Sequence, residues 1–367
     1  MKGLYIHIPF CIKKCKYCDF ISFPGCEEYF DKYLQELEKE MLKYEGEKID
    51  TIFIGGGTPT ILKPEAISKI SKDIFDIFDV EKNAEFTIEA NPKTLSEEKL
   101  ETMLNAGINR LSIGVQSFND NELISIGRMH NSFEGEQAVI SAKKAGFTNI
   151  NIDIMFSLPE QNLKSFKNTL EKAVSLNTEH ISCYSLILEE GTKLFEEYEE
   201  GKILLPDDET DRENYAHACE FLKKSGYSQY EISNFSKKGH ESRHNLKYWN
   251  CDEYIGLGVS AHSYYNSSRF FNTSSLEKYL LGEYMEGIPE KISREEKIKE
   301  FMIMGLRKSE GIKKSEFFKR FGILVNSIYK DEIDKFKKAG FLTETEDNIF
   351  LTRDGINVSN SILCEFV

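Results

Sequence analysis

Three cysteines fall within eight residues near the start of the chain, in Cys11-Ile12-Lys13-Lys14-Cys15-Lys16-Tyr17-Cys18. This C-x3-C-x2-C spacing lets three thiolates ligate three irons of a cubane cluster. A cubane has four irons, so one stays open to a small molecule, unlike the four-cysteine sites of electron-transfer ferredoxins. Structural zinc is the competing use. It wants four closed ligands, and no fourth Cys or His stands within the run. Lys13, Lys14 and Lys16 are expected to help keep the thiolates ionised. The other five cysteines, Cys26, Cys183, Cys219, Cys251 and Cys364, are scattered and read as packing residues.

A second candidate is Gly55-Gly56-Gly57-Thr58-Pro59. Glycines there would let the backbone approach a ligand closely and turn its amides toward a carboxylate. In isolation such a triplet is as readily a tight turn. A third is His244-Asn245-Leu246-Lys247-Tyr248-Trp249, which holds the only tryptophan. An imidazole can ligate heme iron and neighbouring aromatics can cover a macrocycle. A lone His before an aromatic pair is more often structural, and His240 and His262 stand near enough in sequence to compete for the role.

These residues need elements to position them. Short β-type runs alternate with amphipathic stretches: Leu4 to Ile8, Thr51 to Ile54, Glu85 to Ile88, Arg110 to Val115, Ile150 to Met155 and His180 to Leu186 are expected to be strands. Between the third and fourth, Thr94-Leu95-Ser96-Glu97 has capping-box spacing and Gly107 follows the helix end. The next helix, near Glu134 to Ala145, stops at Gly146. Six βα units predict a parallel sheet curled into a partial barrel. The cysteine loop follows the first strand and the glycine triplet the second. Glu89, Asn91, Gln116, Asp153 and Tyr184 stand at or near the carboxyl ends of later strands, where parallel barrels keep their sites.

The expected organisation is a core domain over 1–235, a linking segment over 236–290 that holds the His244 run, and a helical, winged-helix-like domain over 291–367. That last region carries 15 Lys and Arg against 13 Asp and Glu. It has no basic footprint for DNA, which favours packing or protein contact. The whole chain of 367 residues carries a formal charge of -14, which argues against nucleic acid as main partner. The opening MKGLYIHIPF lacks the apolar region of a secretory signal, and no apolar run is long enough to span a bilayer, so a cytoplasmic location is expected.

The cysteine loop, with Tyr17 as the aromatic residue before the third cysteine, resembles the signature of the radical S-adenosylmethionine (SAM) superfamily. The resemblance implies a partial (β/α)6 barrel carrying a [4Fe-4S] cluster on Cys11, Cys15 and Cys18. In that superfamily SAM chelates the open iron through its methionine amino and carboxylate groups. One electron then splits the sulfonium to a 5′-deoxyadenosyl radical. The same resemblance assigns Tyr5, Tyr17, Gly56, Gly57, Thr58, Glu89, Gln116, Arg128 and Asp153 to SAM binding, with Glu89 accepting from the ammonium and Arg128 partnering a carboxylate. As a bare residue, Arg128 would read as an ordinary surface arginine between helices.

The runs YIHIPFC, GGGTPT, EANP, IGVQSFN and NIDIMFSLP are together similar to the oxygen-independent coproporphyrinogen III oxidase family over nearly the whole chain. The oxidase carries a further cysteine two residues after the third cluster cysteine, where this chain has Phe20, and a longer arm than the ten residues before Cys11. Both departures match the sister branch of heme chaperones, the HemW type, whose H-N-x-x-Y-W motif is met at His244–Trp249. That branch implies heme as cargo, bound by His244, and delivery to client hemoproteins, membrane-associated ones among them. An electron donor is implied, and a homodimer is left open. The alternatives are the oxidase itself, which decarboxylates two propionates of coproporphyrinogen III, and a radical SAM enzyme that opens heme.

Overall fold

Alternation of apolar and polar side chains builds the sheet. β1 (Lys2–Ile8), β2 (Lys48–Gly56), β3 (Asp79–Ala90), β4 (Arg110–Gln116), β5 (Ile150–Phe156) and β6 (His180–Ser185) lie side by side in chain order, every pair parallel, in a computed structural model that describes residues 1–367. Successive side chains of a strand point to opposite faces. Leu4, Ile6, Ile52, Ile54, Phe86, Ile88, Leu111, Ile113, Ile152 and Ile154 are all almost wholly buried. They share one core with Leu37, Ile70, Met103, Val139 and Leu170 of the surrounding helices. Each such side chain contributes roughly 1.5–3 kcal/mol on burial.

Those helices are α1 (Phe30–Met41), α2 (Pro64–Ile77), α3 (Glu97–Asn105), α4 (Ser132–Ala145), α5 (Leu163–Ser175) and α6 (Asp208–Lys224). Asn131 and Glu134 form a capping box at the start of α4, and Gly146 ends it at φ 114°, as its place after the last apolar residue predicts. At α3 the cap is Ser96, whose hydroxyl accepts from the Lys99 amide. The Thr94 hydroxyl instead donates to the Asn91 carbonyl, because Pro92–Thr94 forms its own short turn and delays the helix.

The segment 236–290, expected to link two bodies, joins the sheet itself. β7 (Asn234–Ser236) lies antiparallel to β6. After α7 (Arg243–Trp249), β8 (Tyr254–Leu257) pairs parallel with β1 on the side away from β2. β9 (His262–Tyr265), β10 (Ser268–Asn272) and β11 (Met285–Lys291) then extend the sheet with antiparallel pairs. Two glycines in this stretch are there for close packing. A Cβ on Gly256 would sit 2.0 Å from the His262 carbonyl oxygen, and Gly258, at φ 96°, brings its backbone against His7 and Tyr33.

The last region has its own core of Phe301, Phe317, Ile333, Ile349 and Phe366. Helices α8 (Arg294–Gly305), α9 (Lys314–Phe321) and α10 (Lys330–Lys338) pack with a small sheet of β12 (Ile312–Lys313), β13 (Leu342–Glu344) and β14 (Asn348–Leu351), ordered β12-β14-β13. This is a winged-helix-like arrangement, with a hairpin that turns between Glu344 and Asn348. It docks on the segment after α7: Lys308 donates to Asn250 at 2.7 Å, and Arg320 holds the Asn250 carbonyl and Asp252. No helix of the chain is long and apolar enough to cross a membrane.

Candidate functional site

The inward face of the six strands is polar where a packed barrel would be apolar. From mouth to floor it presents Glu89, Thr87 and Glu85 on β3, Gln116, Ser112 and Arg110 on β4, Asp153 and Asn151 on β5, and Tyr184, Ser182 and His180 on β6. A cavity at the carboxyl ends is lined by Cys11, Cys15, Tyr17, Cys18, Gly56, Gly57, Thr58, Glu89, Gln116, Arg128, Asp153 and Tyr184. Eleven of the thirteen side chains singled out from sequence therefore meet in one place. Tyr5 and His244 do not line it.

Glycine is required at the triplet for steric reasons. A Cβ on Gly57 would lie 2.6 Å from the Phe10 carbonyl oxygen and 3.0 Å from Cys11 Sγ, so the cysteine loop rests directly on this turn. Gly56, at φ 109°, faces the His7 ring, which a Cβ would meet at 2.5 Å. The expectation that these amides are free for a ligand is not met. The Gly57 and Thr58 amides donate to Ile8 and Phe10 carbonyls at 2.9 and 2.7 Å, and the Gly56 amide donates to Glu89 Oε2 at 3.1 Å. The triplet serves close approach, and its donors are already used.

All three motif cysteines are free thiols: Cys11 is buried, and Cys15 and Cys18 are half-buried. Burial pushes the Cys11 thiol up and the Cys18 thiol to about 11. Of the lysines only Lys14 opposes this, and burial outweighs it. Lys16 is paired with Glu197 at 2.8 Å, and Lys13 and Lys14 are exposed. The cation that reaches a thiol is Arg128, whose Nη1 donates to Cys15 Sγ at 3.4 Å while Nη2 donates to the Gly114 carbonyl. Arg128 is thus part of the cavity wall rather than a surface arginine, and its Nε has no partner.

Opposite it, desolvation pushes the Glu89 carboxyl up to about 8, with repulsion from Asp153 adding and the Gly56 amide opposing. Burial likewise raises Asp153, although Asn151 donates to it at 2.7 Å. Two carboxyls that resist ionisation in a half-closed cavity favour a cationic ligand, which would restore their charge. Gln116 sits at φ 69° at the end of β4, where the pairing with β5 shifts register. A non-glycine residue held there stores strain of order 1–3 kcal/mol. Its Oε1 accepts from the Tyr184 hydroxyl at 2.9 Å.

Tyr5 lies deeper. His7 Nε2 faces the Ile21 carbonyl at 3.0 Å and must donate, so Nδ1 accepts and the Tyr5 hydroxyl is the donor at 2.9 Å. His244 lies at the opposite end, on α7, which closes the floor of the barrel. It is 1% exposed, with Nδ1 2.9 Å from Thr51 Oγ1 and Nε2 2.9 Å from the Tyr248 hydroxyl. Its ring stacks on Phe53. Both nitrogens of His244 are therefore engaged in this structure. Trp249, next on α7, faces Arg307 of the last region, so the motif joins floor and winged helix. Of the competing histidines, His262 is exposed and stacks on Phe271.

Comparison with known proteins agrees with the fold. Residues 5–173 match the model of the radical SAM superfamily and residues 292–358 that of the HemN C-terminal domain. The chain is 38% identical over 376 residues to the heme chaperone HemW of Bacillus subtilis, covering 100% of this chain and 99% of that protein. It is 34% identical to the heme chaperone HemW of Escherichia coli over 98% of this chain and 97% of that one. A solved structure of coproporphyrinogen III oxidase (HemN) from Escherichia coli, titled as a radical SAM enzyme, superposes with a TM-score of 0.86 at 25% identity, covering 99% of this chain and 89% of that chain.

Proposed function

The chain belongs to the radical SAM superfamily, in the HemW-type branch of the oxygen-independent coproporphyrinogen III oxidase family, and from that premise we propose that it is a heme chaperone. It binds heme, passes it to client hemoproteins, and carries a [4Fe-4S] cluster and SAM at the barrel mouth. The observation that carries the reading is the end-to-end similarity to proteins named heme chaperone. Phe20, standing where the oxidase has its further cysteine, supports the chaperone over the oxidase.

The residues present fit such a cluster. Three free thiols, Cys11, Cys15 and Cys18, line one cavity. A cubane offers each thiolate a separate iron and leaves the fourth open. Cys11, Cys15 and Cys18 would hold the cluster, whose chemistry is one-electron reduction of the SAM sulfonium. Glu89 would accept from the methionine ammonium, losing its proton as it does so, and Arg128 would turn its unpartnered Nε to the carboxylate. Asp153, Gln116 and Tyr17 would fix the rest of the nucleoside. Ligation of heme iron by His244 requires α7 to lift from the floor and release Thr51 and Tyr248.

The test uses anaerobically reconstituted protein. Hemin is added and its transfer to an apo-hemoprotein followed by absorption, beside an assay with reductant, SAM and coproporphyrinogen III. Hemin uptake and transfer without decarboxylated porphyrin is the expected result. Decarboxylation would make the chain an oxidase. His244→Ala and His262→Ala titrations then assign the imidazole, since only loss of the ligand shifts the hemin spectrum.

A further inference from the structure

Below the SAM site, the barrel interior continues into a second cavity lined by Phe53, Glu89, Arg110, Ser112, Asn151, Asp153, Ser182, Asn234 and Asn245. Arg110 opens β4 at the floor and is 2% exposed. Its Nε has no hydrogen-bond partner, and the guanidinium belongs to none of the molecule's ion pairs. A buried arginine left unpaired is costly, since a charge taken from water loses several kcal/mol unless a partner restores it.

Its charge lowers Glu89 and Asp153 from a distance, but neither bonds to it, and the groups of the floor are engaged with one another. His180 Nδ1 donates to Asn151 Oδ1 at 2.6 Å, so its Nε2 accepts from the Tyr230 hydroxyl at 2.8 Å. The Tyr230 oxygen in turn accepts from the Ser242 amide. Glu85, on β3 at the floor, accepts from the Arg243 and His244 amides at 3.0 Å each, capping α7. Asn151 gives its amide protons to Ser112 and Asp153. What remains unpartnered is Arg110 Nε, Oγ1 of Thr87, its register neighbour on β3, and Oδ1 of Asn234 across the cavity.

We propose that the barrel floor is a carboxylate-binding site in which Arg110 takes the ligand's anionic group, with Thr87 and Asn234 beside it. A guanidinium matches a carboxylate in geometry as well as charge. Two sources of that carboxylate are at hand. One is a propionate arm of the tetrapyrrole, an assignment that rests on the heme reading above. The other is the methionine end of a SAM molecule reaching below the mouth, which is independent of it.

The experiment compares wild type, Arg110→Gln and Arg110→Lys, using hemin, hemin dimethyl ester and SAM as probes, followed by absorption and calorimetric titration. If the source is a propionate, Arg110→Gln weakens hemin about tenfold or more, hemin dimethyl ester binds all three proteins alike, and Arg110→Lys recovers part of the loss. If it is SAM, the SAM isotherm weakens or loses a site while hemin is unchanged. Equal binding of hemin and SAM by wild type and Arg110→Gln overturns the proposal. Wild type that takes no hemin ends the heme reading but leaves the SAM arm to decide the floor site. Thermal unfolding of ligand-free Arg110→Met gives a check that needs no ligand. A site kept for a ligand predicts an unchanged or raised midpoint, whereas a large drop would show Arg110 to be structural and overturn the proposal.

Discussion

The two ends of the barrel are made from the same six strands and are opposite in character. At the mouth, polar groups are held in unfavourable states: Glu89 is pushed up to about 8, Gln116 sits at φ 69°, and Arg128 and three free thiols are only loosely paired. At the floor, Thr51, Glu85, Asn151, His180, Tyr230, His244 and Tyr248 form a hydrogen-bonded layer under α7. Arg110 Nε, Thr87 Oγ1 and Asn234 Oδ1 break that satisfaction. The difference separates groups that wait for a ligand from groups that hold the sheet closed. A satisfied network rigidifies a fold, and an unsatisfied one stores free energy that a ligand can release.

Substitutions can break this contrast, because mouth residues should cost binding and floor residues should cost stability. The largest expected effect is Cys15→Ala, which should leave iron and sulfide near background after anaerobic reconstitution. A full complement of both would remove the cluster from these cysteines. Next is His244→Ala, which strands Thr51 and Tyr248 and empties a buried ring site. A loss of about 2–4 kcal/mol in urea unfolding is expected, and an unchanged midpoint would mean that the floor is not structural. Gly57→Ala drives a Cβ into Phe10 and should cost about 1–3 kcal/mol while displacing the cysteine loop, read as lower stability together with lower iron content.

Acid provides a subtler comparison. Burial, then Lys247 and Arg110, lowers the His244 pKa to about 3, against an unfolded value of about 6.5. Above pH 6.5 both states are neutral there and the contribution to stability is complete. Between 6.5 and 3 the unfolded chain binds a proton that the folded one refuses, so stability falls as pH falls. Urea midpoints should drop from pH 7.5 to pH 5, and His244→Gln should flatten that slope. The smallest effect on the fold belongs to Glu89→Gln. An acid already neutral at pH 7 is replaced by an amide, so ligand-free stability should move by about 1 kcal/mol or less. SAM affinity should fall by about 10- to 100-fold. A large stability loss there would erase the distinction between the ends.

Most of the mouth was legible in the sequence because its parts follow strand ends: a loop after β1, a triplet after β2, Glu89 and Asp153 near the ends of β3 and β5. All six strands fall where alternation put them, although β3 begins at Asp79, earlier than Glu85, since its first residues pair with Lys48 and Ile49. The floor was not legible. Its partners are far apart in sequence, as with Thr51 and His244, and local pattern cannot report that a helix 193 residues later covers a strand. Arg110 was read only as the start of a strand, although its alternation with Leu111 and Ile113 already turned it inward. Glycine at 256 and 258 concealed β8, because a residue chosen for close packing looks like one chosen for a turn. The lysines of the cysteine loop misled in part, since only Lys14 acts on the thiols and burial outweighs it, while Lys16 is taken by Glu197.

One feature bears on how the chain reaches this state. β1, which leads into the cysteines, lies between β2 and β8, and the second of these neighbours is residues 254–257. During synthesis from the amino end, β1 keeps an open edge until residues 254–257 have been made, and pairings of such long sequence separation form late and slowly. The cysteine loop, made well before residues 254–257, is therefore among the last to gain a rigid support. A cluster inserted into it has to wait for, or help complete, the closing of the sheet around it.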